Sequence, residues 1–509
     1  MNSFNDLNAQ RLDLQVFLDA KKSLLERNKL GQFATPSSLA TDIIQETFKF
    51  VEQKNIKLLE PSIGTGSFVL SLLDSLPKDL NIDRIIGVEK DPVIGEASRD
   101  FYKNLSINLD YIVDDFTSLA PIQQVNLILA NPPYVRHHYI PNKLELGIKV
   151  FDEIGIKVSG LAGLYIYFIL LSHKWLENEG IACWLIPSEF LDVNYGNKLK
   201  EYLLKQVTTL KIHRFDTAQS KFSDALVSST VIWYKNALPS KDHHINFTFG
   251  ESISAPTLSK EVSSDVLLNE RKWSRFPQND VRQNVDFPTL KDYFRVSRGI
   301  ATGENTFFIL NKDEILERNL PLEQFRPILP RPKELKSLYI TADEQGFPLL
   351  EKPLFVLDTN LEIDEIKTAY PSLYDYLQEG IDKEVHKRHL CKKRKAWYFQ
   401  EQRKSSAFYC SYMGRSKESG KSPFKFLFNE SKAIVNNSYL ILYPLPNLEK
   451  LLCDKPHLAK EIVNKLNSLD SALMMDEGRT YGGGMQKIEP KELGNVNASF
   501  INELIAQDL

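Results

Sequence analysis

Cysteine is scarce in this 509-residue chain: Cys183, Cys391, Cys410 and Cys453 lie far apart, with no Cys-x-x-Cys pair. A disulfide framework and a cysteine zinc site are therefore excluded as organising elements, and reduced thiols are expected. Long apolar runs are missing too. The longest, Leu161–Leu171, is interrupted by Gly163 and falls well short of the ~20 residues a membrane helix needs. The opening Met1-Asn2-Ser3-Phe4 carries no basic stretch leading into an apolar core, so no secretory signal is expected. An excess of positive charge is also absent. The 63 Lys and Arg against 66 Asp and Glu leave a net −3, so any nucleic-acid binding needs a local basic surface.

With 42% hydrophobic and 25% charged residues, the composition is that of a globular protein. The length suits about two to four domains. Seven short runs rich in Ile, Val, Leu and aromatics read as strands: Ile56–Leu59, Ile85–Val88, Tyr111–Val113, Val125–Leu129, Ile181–Ile186, Leu210–Phe215 and Thr230–Tyr234. Amphipathic stretches such as Ser67–Leu76 and Leu164–Leu176 lie between them. This alternation predicts an α/β domain with a mostly parallel sheet, whose ligand site lies beyond the carboxyl ends of the strands. The segment Asn236–Pro256, with Pro239 and Pro256 and no long periodic signal, reads as a domain boundary. Beyond it the pattern is irregular: β-like pieces at Phe307–Leu310, Ala433–Asn436 and Tyr439–Tyr443, and a helix around Leu458–Leu473. An α+β second domain is expected there, with no internal repeat or low-complexity segment.

The apolar run Val125–Leu129 leads through Ala130 into Asn131-Pro132-Pro133-Tyr134. Two prolines fix φ and remove two donors, so the chain leaves the strand in a stiff turn. Asn131 and the Pro132 carbonyl can then offer two acceptors to one amine, and Tyr134 a flat face. An ordinary turn closing a strand would read the same way. Upstream, Glu60-Pro61-Ser62-Ile63-Gly64-Thr65-Gly66-Ser67 is a strand end, a glycine loop and a helix start, a place for a ligand close to the backbone. No third glycine follows Gly66, which favours a nucleoside-sized ligand over a dinucleotide. Glu89 ends the next strand, where a carboxylate can take ribose hydroxyls, and Asp115-Phe116 follows the third strand, suited to an adenine amine and ring.

In this order the motifs resemble the gamma group of S-adenosylmethionine-dependent DNA adenine-N6 methyltransferases, TaqI-like enzymes of restriction–modification type. Gly31-Gln32-Phe33-Ala34-Thr35-Pro36 looks like that group's N-terminal motif, placed ahead of the glycine loop. The resemblance covers roughly residues 29–235. It implies a Rossmann-like methyltransferase domain with a mostly parallel seven-stranded sheet and a C-terminal α+β target-recognition domain. The implied organisation is an N-terminal helical extension over residues 1–28, a catalytic domain over 29–240 and a recognition domain over 241–509. The cofactor it implies is S-adenosyl-L-methionine. Thr35, Glu60, Gly64 and Gly66 would line its methionine part, with Asn131 nearby, Glu89 its ribose, and Asp115, Phe116 and Phe168 its adenine. Asn131, Pro132, Pro133 and Tyr134 would form the catalytic motif, and Phe222 would stack on a flipped-out target adenine with Tyr134. No metal is implied, since the sulfonium already carries an activated methyl group.

In the second half, Arg298 stands in a Gly-punctuated stretch, Arg295–Phe308, that resembles an element of the target-recognition half of such enzymes. The window Lys383–Lys404 holds nine Lys and Arg against Glu384 and Glu401, a net +7, with Trp397, Tyr398 and Phe399 interleaved. Lys392, Lys393, Arg394 and Lys395 are its densest part and the expected contact to double-stranded DNA. Metal ligation by His386, His389 and Cys391 lacks a second ligand pair. Thr480–Pro490, with its three glycines, resembles a further family element of unassigned role. The expected protein is a cytoplasmic, prokaryotic, site-specific DNA adenine-N6 methyltransferase, paired with a separate cognate restriction endonuclease or working in a related defence system. Its rivals are a methyltransferase acting on RNA or protein glutamine, because Asn-Pro-Pro-Tyr is shared with such enzymes, and a non-catalytic DNA-specificity subunit of the same fold.

Overall fold

Every residue of Val125–Ala130 is buried, because this strand lies inside a sheet covered on both faces. In the computed structural model, Leu127 and Leu129 pack into one hydrophobic cluster and Ile128 and Ala130 into another on the opposite side. The two-residue period of a strand thus feeds two cores, which is why the run is apolar without alternation. The structure describes residues 4–103, 105, 107–216, 229–278, 287–415, 422–469, 474, 477–481 and 485–507. It forms two compact units, Met1–Gln283 and Asn284–Leu509.

The first unit is built on nine strands: β1 (Asn55–Glu60), β2 (Asn81–Glu89), β3 (Leu109–Val113), β4 (Val125–Ala130), β5 (Leu176–Pro187), β6 (Thr208–Phe215), β7 (Ser229–Lys235), β8 (His244–Gly250) and β9 (Leu258–Ser263). Their order is β3-β2-β1-β4-β5-β7-β6-β8-β9. β1 to β5 pair in parallel with one another, and β7 is antiparallel to both β5 and β6. Helices α1 (Phe4–Asp19) and α2 (Leu24–Leu30) precede the sheet, followed by α3 (Ser37–Thr47), α4 (Ser67–Asp74), α5 (Pro92–Lys103), α6 (Lys143–Ile154), α7 (Leu164–Leu171) and α8 (Asn197–Lys205). Residues of α3 and α4 join the cluster on one face, and those of α6, α7 and α8 join the cluster on the other.

The expected break at residues 236–256 is a correction. β8 lies inside that segment and pairs in parallel with β6, and β9 pairs with β8, so the sheet grows from the expected seven strands to nine. The first unit accordingly continues to Gln283 rather than ending at 240. The signal was present: Ile245 and Phe247 alternate with polar residues and are buried, but His243, His244 and the flanking prolines obscured a short period-two strand.

Among the described residues the second unit has a five-stranded sheet and two small three-stranded ones. The larger sheet begins with Phe294–Arg298, whose neighbour Tyr439–Pro444 also pairs with Phe408–Ser411. Helix His457–Asn467 covers part of the expected terminal helix and buries Leu458, Ile462, Val463 and Leu466. The expected strand at Phe307–Leu310 is instead a helical turn, Asn305–Phe308, running into the short strand Ile309–Asn311. The stretch Ala433–Asn436 forms only isolated bridges at Ile434 and Asn436.

Candidate active site

Because the sheet order is β3-β2-β1-β4, the residues at the carboxyl ends of these strands stand in one row. Adjacent strands are about 4.8 Å apart, so Asp115, Glu89, Glu60 and Asn131 are spread along the edge of a cavity of about 570 Å³ that all four line. That volume is in the range of small-molecule sites.

Glu60 is 2% exposed and its Oε2 has no hydrogen-bond partner. Burial pushes its carboxyl well above the usual range, with Arg11 opposing and Glu89 adding to the shift. Glu89 accepts the amides of Gly64 on Oε2 at 3.1 Å and of Asp91 on Oε1 at 2.8 Å, and burial raises it too. The two loop glycines differ in role. Gly64 has φ +53° and open space where a Cβ would stand, on the cavity wall. Gly66, at φ +77°, faces away: a Cβ there would lie 2.1 Å from the Tyr102 hydroxyl, which donates to the carbonyls of Thr65 and Gly66. Gly66 is thus a packing glycine at the start of α4 and does not line the cavity, a correction to its expected place beside the methionine part.

Asn131 is held from the far side of the sequence. Its Nδ2 donates to the Phe33 carbonyl at 3.0 Å and to Thr35 Oγ1 at 3.1 Å, while its carbonyl accepts from Ser62 Oγ at 3.0 Å. Two acceptors on the nitrogen side fix the amide so that Oδ1 remains an acceptor toward the cavity. Gly31, at φ +66°, accepts the Tyr134 amide, and a Cβ on it would lie 2.3 Å from that nitrogen. The segments 31–35 and 131–134 therefore run in direct backbone contact. Pro133 lines the cavity, whereas Pro132 is buried and Tyr134 is half-buried, its hydroxyl donating to the Leu185 carbonyl at 3.2 Å.

At the other end, Phe116 is buried and packs on Phe168 and Trp175 with ring centroids 5.2 and 5.7 Å away. Both Phe116 and Phe168 reach the cavity. The Asp115 carboxylate is already engaged: Oδ1 accepts from the Thr117 amide and hydroxyl, and Oδ2 from Lys90 Nζ at 2.7 Å. A ligand amine would have to compete with Lys90 for it.

Several cavity residues had no sequence signal. Arg11 on α1 is 1% exposed and donates to Thr65 Oγ1 and Ser37 Oγ, each at 3.0 Å. Gln15 accepts from Thr65 Oγ1 at 2.7 Å, and Asp91 pairs with Lys22 and accepts from Gln32 at 3.2 Å. Arg11, Gln15 and Lys22 come from an N-terminal extension with no recognisable motif, so only the tertiary structure brings them to the site.

In the second unit, Arg298 is exposed at the end of its strand, stacked 3.9 Å over the Tyr412 ring. The basic window is far less positive in three dimensions than along the chain. Lys383, Lys387, Arg388, Lys395 and Arg403 pair with Glu379, Glu384, Glu304, Glu362 and Glu401. Arg394 is half-buried, donating to the carbonyls of Ala301 at 2.7 Å, Thr302 at 2.9 Å and Trp397 at 3.4 Å. It braces a loop and is not presented as an open cation, a correction to its expected role. Trp397, Tyr398 and Phe399 pack with Phe307, Phe308 and Tyr376, so these aromatics belong to a core. Lys392 and Lys393 are exposed. Among the described residues no cluster of His, Cys, Asp and Glu could hold a metal. No helix among them is long and apolar enough to cross a membrane. Phe222 and Gly482–Gly484 lie outside the described residues.

This strand order, with a glycine loop after β1 and acidic residues ending β1 and β2, defines an S-adenosylmethionine-dependent methyltransferase fold. Comparison with known proteins goes further. Residues 88–222 match the Eco57I restriction-modification methylase family, and residues 263–509 match the family of the C-terminal domain of type II methyltransferase M.Eco57I. The chain is 28% identical over 493 residues to type II methyltransferase M.AccI of Acinetobacter calcoaceticus, covering 92% of this chain and 85% of that one. It is 23% identical over 488 residues to M.XamI of Xanthomonas campestris pv. amaranthicola, covering 94% and 86%. Among solved structures it is similar to the type IIL restriction-modification enzyme MmeI in complex with DNA, with a TM-score of 0.48, 14% identity, and coverage of 87% of this chain and 63% of that one. The two family matches and the likeness to M.AccI and M.XamI over more than nine-tenths of the chain support a type II restriction–modification methyltransferase of Eco57I type. Family and fold imply S-adenosyl-L-methionine as cofactor, and the cavity fits it. The orphaned Glu60 Oε2 suits a cationic group, Gly64 leaves the space a side chain would fill, and the Phe116–Phe168 end offers aromatic faces.

Proposed function

We propose that the protein is a site-specific DNA adenine-N6 methyltransferase of the gamma group, acting on a flipped-out adenine in double-stranded DNA. The observation that carries this reading is the fixed Asn131 amide at the end of β4, its Nδ2 held by Phe33 and Thr35 and its Oδ1 left to accept.

An exocyclic adenine amine is a weak nucleophile because its lone pair is conjugated into the ring. Asn131 Oδ1 and the Pro132 carbonyl would accept its two N–H groups and favour the geometry in which the lone pair points at the methyl donor. When bound, S-adenosyl-L-methionine supplies a methyl group on a positively charged sulfur. Glu60, Thr35 and Gly64 would flank its methionine end, Glu89 the ribose, and Phe116 with Phe168 the adenine. Alignment and electrostatics then do most of the work, and the displaced amine proton leaves to solvent. The target nitrogen lies inside the duplex, so the base must leave the stack, and Tyr134 with Phe222 would sandwich it.

The first unit would carry catalysis and the second target recognition, with Arg298, Lys392 and Lys393 on the DNA backbone. A prokaryotic cytoplasm and a restriction–modification or related defence system, with a separate cognate endonuclease, complete the reading. Single-molecule sequencing of genomic DNA from cells expressing the wild type or Asn131→Ala tests it. N6-methyladenine in one sequence context with the wild type alone is the expected result. Modified cytosine, or no modified base in either strain, would overturn the adenine assignment.

A further inference from the structure

A guanidinium and a carboxyl group are buried at one end of the cavity without being hydrogen-bonded to each other. Arg11 is 1% exposed and Glu60 is 2% exposed, and both line the wall. Arginine has five N–H donors. Here Nε donates to Asn8 Oδ1 at 3.2 Å, one Nη1 hydrogen goes to Thr65 Oγ1 and one Nη2 hydrogen to Ser37 Oγ, each at 3.0 Å. All three partners are neutral, and among the described residues no carboxylate forms an ion pair with the guanidinium. Two N–H groups remain. Glu60 Oε2 is likewise buried without a hydrogen-bond partner. A buried charge without a counter-charge is costly, and an orphaned one calls for a ligand or a function.

The guanidinium is held in place from several sides. Thr65 Oγ1, while accepting from Arg11, donates to Gln15 Oε1 at 2.7 Å. Ser37 Oγ donates to Asn8 Oδ1 at 3.0 Å. The network ties α1 to the glycine loop after β1 and to the start of α3, and keeps Arg11 from closing onto Glu60. A fixed guanidinium and a fixed carboxyl group side by side in a cavity match a zwitterion, with a carboxylate for the first and, for the second, an ammonium whose charge favours the ionised carboxyl.

We propose that Arg11 binds the α-carboxylate of the cofactor's methionine end, opposite Glu60 at its α-ammonium, which makes α1 a working part of the cofactor site. This rests on the assignment of the cavity to S-adenosyl-L-methionine. The sheet order supports the direction: β3, β2 and β1 end in sequence toward Glu60, and Arg11 lies at that end, remote from the Phe116–Phe168 pair.

The test is calorimetric titration of the wild type, Arg11→Ala and Arg11→Lys with S-adenosyl-L-methionine and with its decarboxylated analogue, which differs only in lacking the α-carboxylate. The wild type should bind the complete cofactor about 10- to 100-fold more tightly, the range expected of a charge-assisted forked contact. Arg11→Ala should lose that preference while its affinity for the analogue changes by less than about 3-fold. Arg11→Lys, which keeps the charge but not the fork, should fall between, and decides the matter if the alanine variant does not fold. An equal loss for both ligands makes Arg11 a strut of α1 and overturns the proposal, as does a wild type that binds the two alike. A wild type that binds neither overturns the cofactor assignment itself.

Discussion

The side-chain nitrogen of Asn131 lies 3.1 Å from the hydroxyl oxygen of Thr35, a contact between residues 96 positions apart. It brings the N-terminal segment 31–36 against the turn that follows β4, and it fixes which way the amide points. Replacing Thr35 by valine keeps the shape and removes one of the two acceptors on Asn131 Nδ2. The turnover number should fall about 3- to 10-fold, the cost of one hydrogen bond, with the KM for DNA unchanged. Steady-state methylation of a substrate duplex measures both.

The two glycines of the loop should respond in opposite ways. In Gly64→Ala the new methyl group enters open cavity space, so cofactor affinity should fall by more than 10-fold while the positive φ costs only about 1–2 kcal/mol. In Gly66→Ala the methyl group meets the buried Tyr102 hydroxyl, and a loss of about 1–3 kcal/mol from overpacking adds to the same backbone strain. Denaturant unfolding of the cofactor-free protein and cofactor titration separate the two effects.

Burial raises the carboxyls of Glu60 and Glu89 above their ordinary value of 4.5. The folded protein therefore keeps protons that the unfolded chain has already released. The stability this contributes is complete below the ordinary carboxylate range and is lost as pH rises through the raised folded values. The cofactor-free protein should melt at lower temperature as pH climbs through that window. Glu60→Gln should flatten the fall and lose cofactor affinity. Melting curves across pH, with and without S-adenosyl-L-methionine, check both.

Within the basic window the exposed lysines and Arg394 should behave differently. Lys392→Gln with Lys393→Gln should reduce the slope of log affinity for DNA against log salt by up to about 2 and leave the melting temperature unchanged. Lys395→Gln should change the slope less, because Glu362 already neutralises that lysine. Arg394→Ala should instead destabilise the second unit by about 1–3 kcal/mol, through the carbonyls of Ala301, Thr302 and Trp397 that it leaves unpaired. Fluorescence anisotropy over a salt series and thermal unfolding distinguish the two outcomes.

Much of the first unit is legible in the sequence. β4 and β7 are almost wholly buried runs, and a run such as Val125–Ala130 identifies itself because both of its faces meet a core. That Glu60, Gly64, Glu89, Phe116 and Asn131 line one cavity was legible because ligand cavities open where such strands end. β8 is harder to read because Ile245, Phe247 and Phe249 alternate with polar residues between histidines and prolines. Charge was the least legible property. Lys383–Lys404 reads as +7 along the chain, but three of its partners, Glu304, Glu362 and Glu379, come from outside the window.

Residue types and their spacing settled the local matters: where strands begin and end, which turn is stiff, and which residues at strand ends have ligand chemistry. These follow from backbone geometry and burial over a few neighbouring residues. Folding in three dimensions alone decided that Gly66 faces Tyr102 rather than the cavity, that Arg11 stands beside Glu60, and that Arg394 braces a loop. Each of these depends on contacts between residues dozens of positions apart, and short-range sequence patterns carry no record of which distant groups will meet.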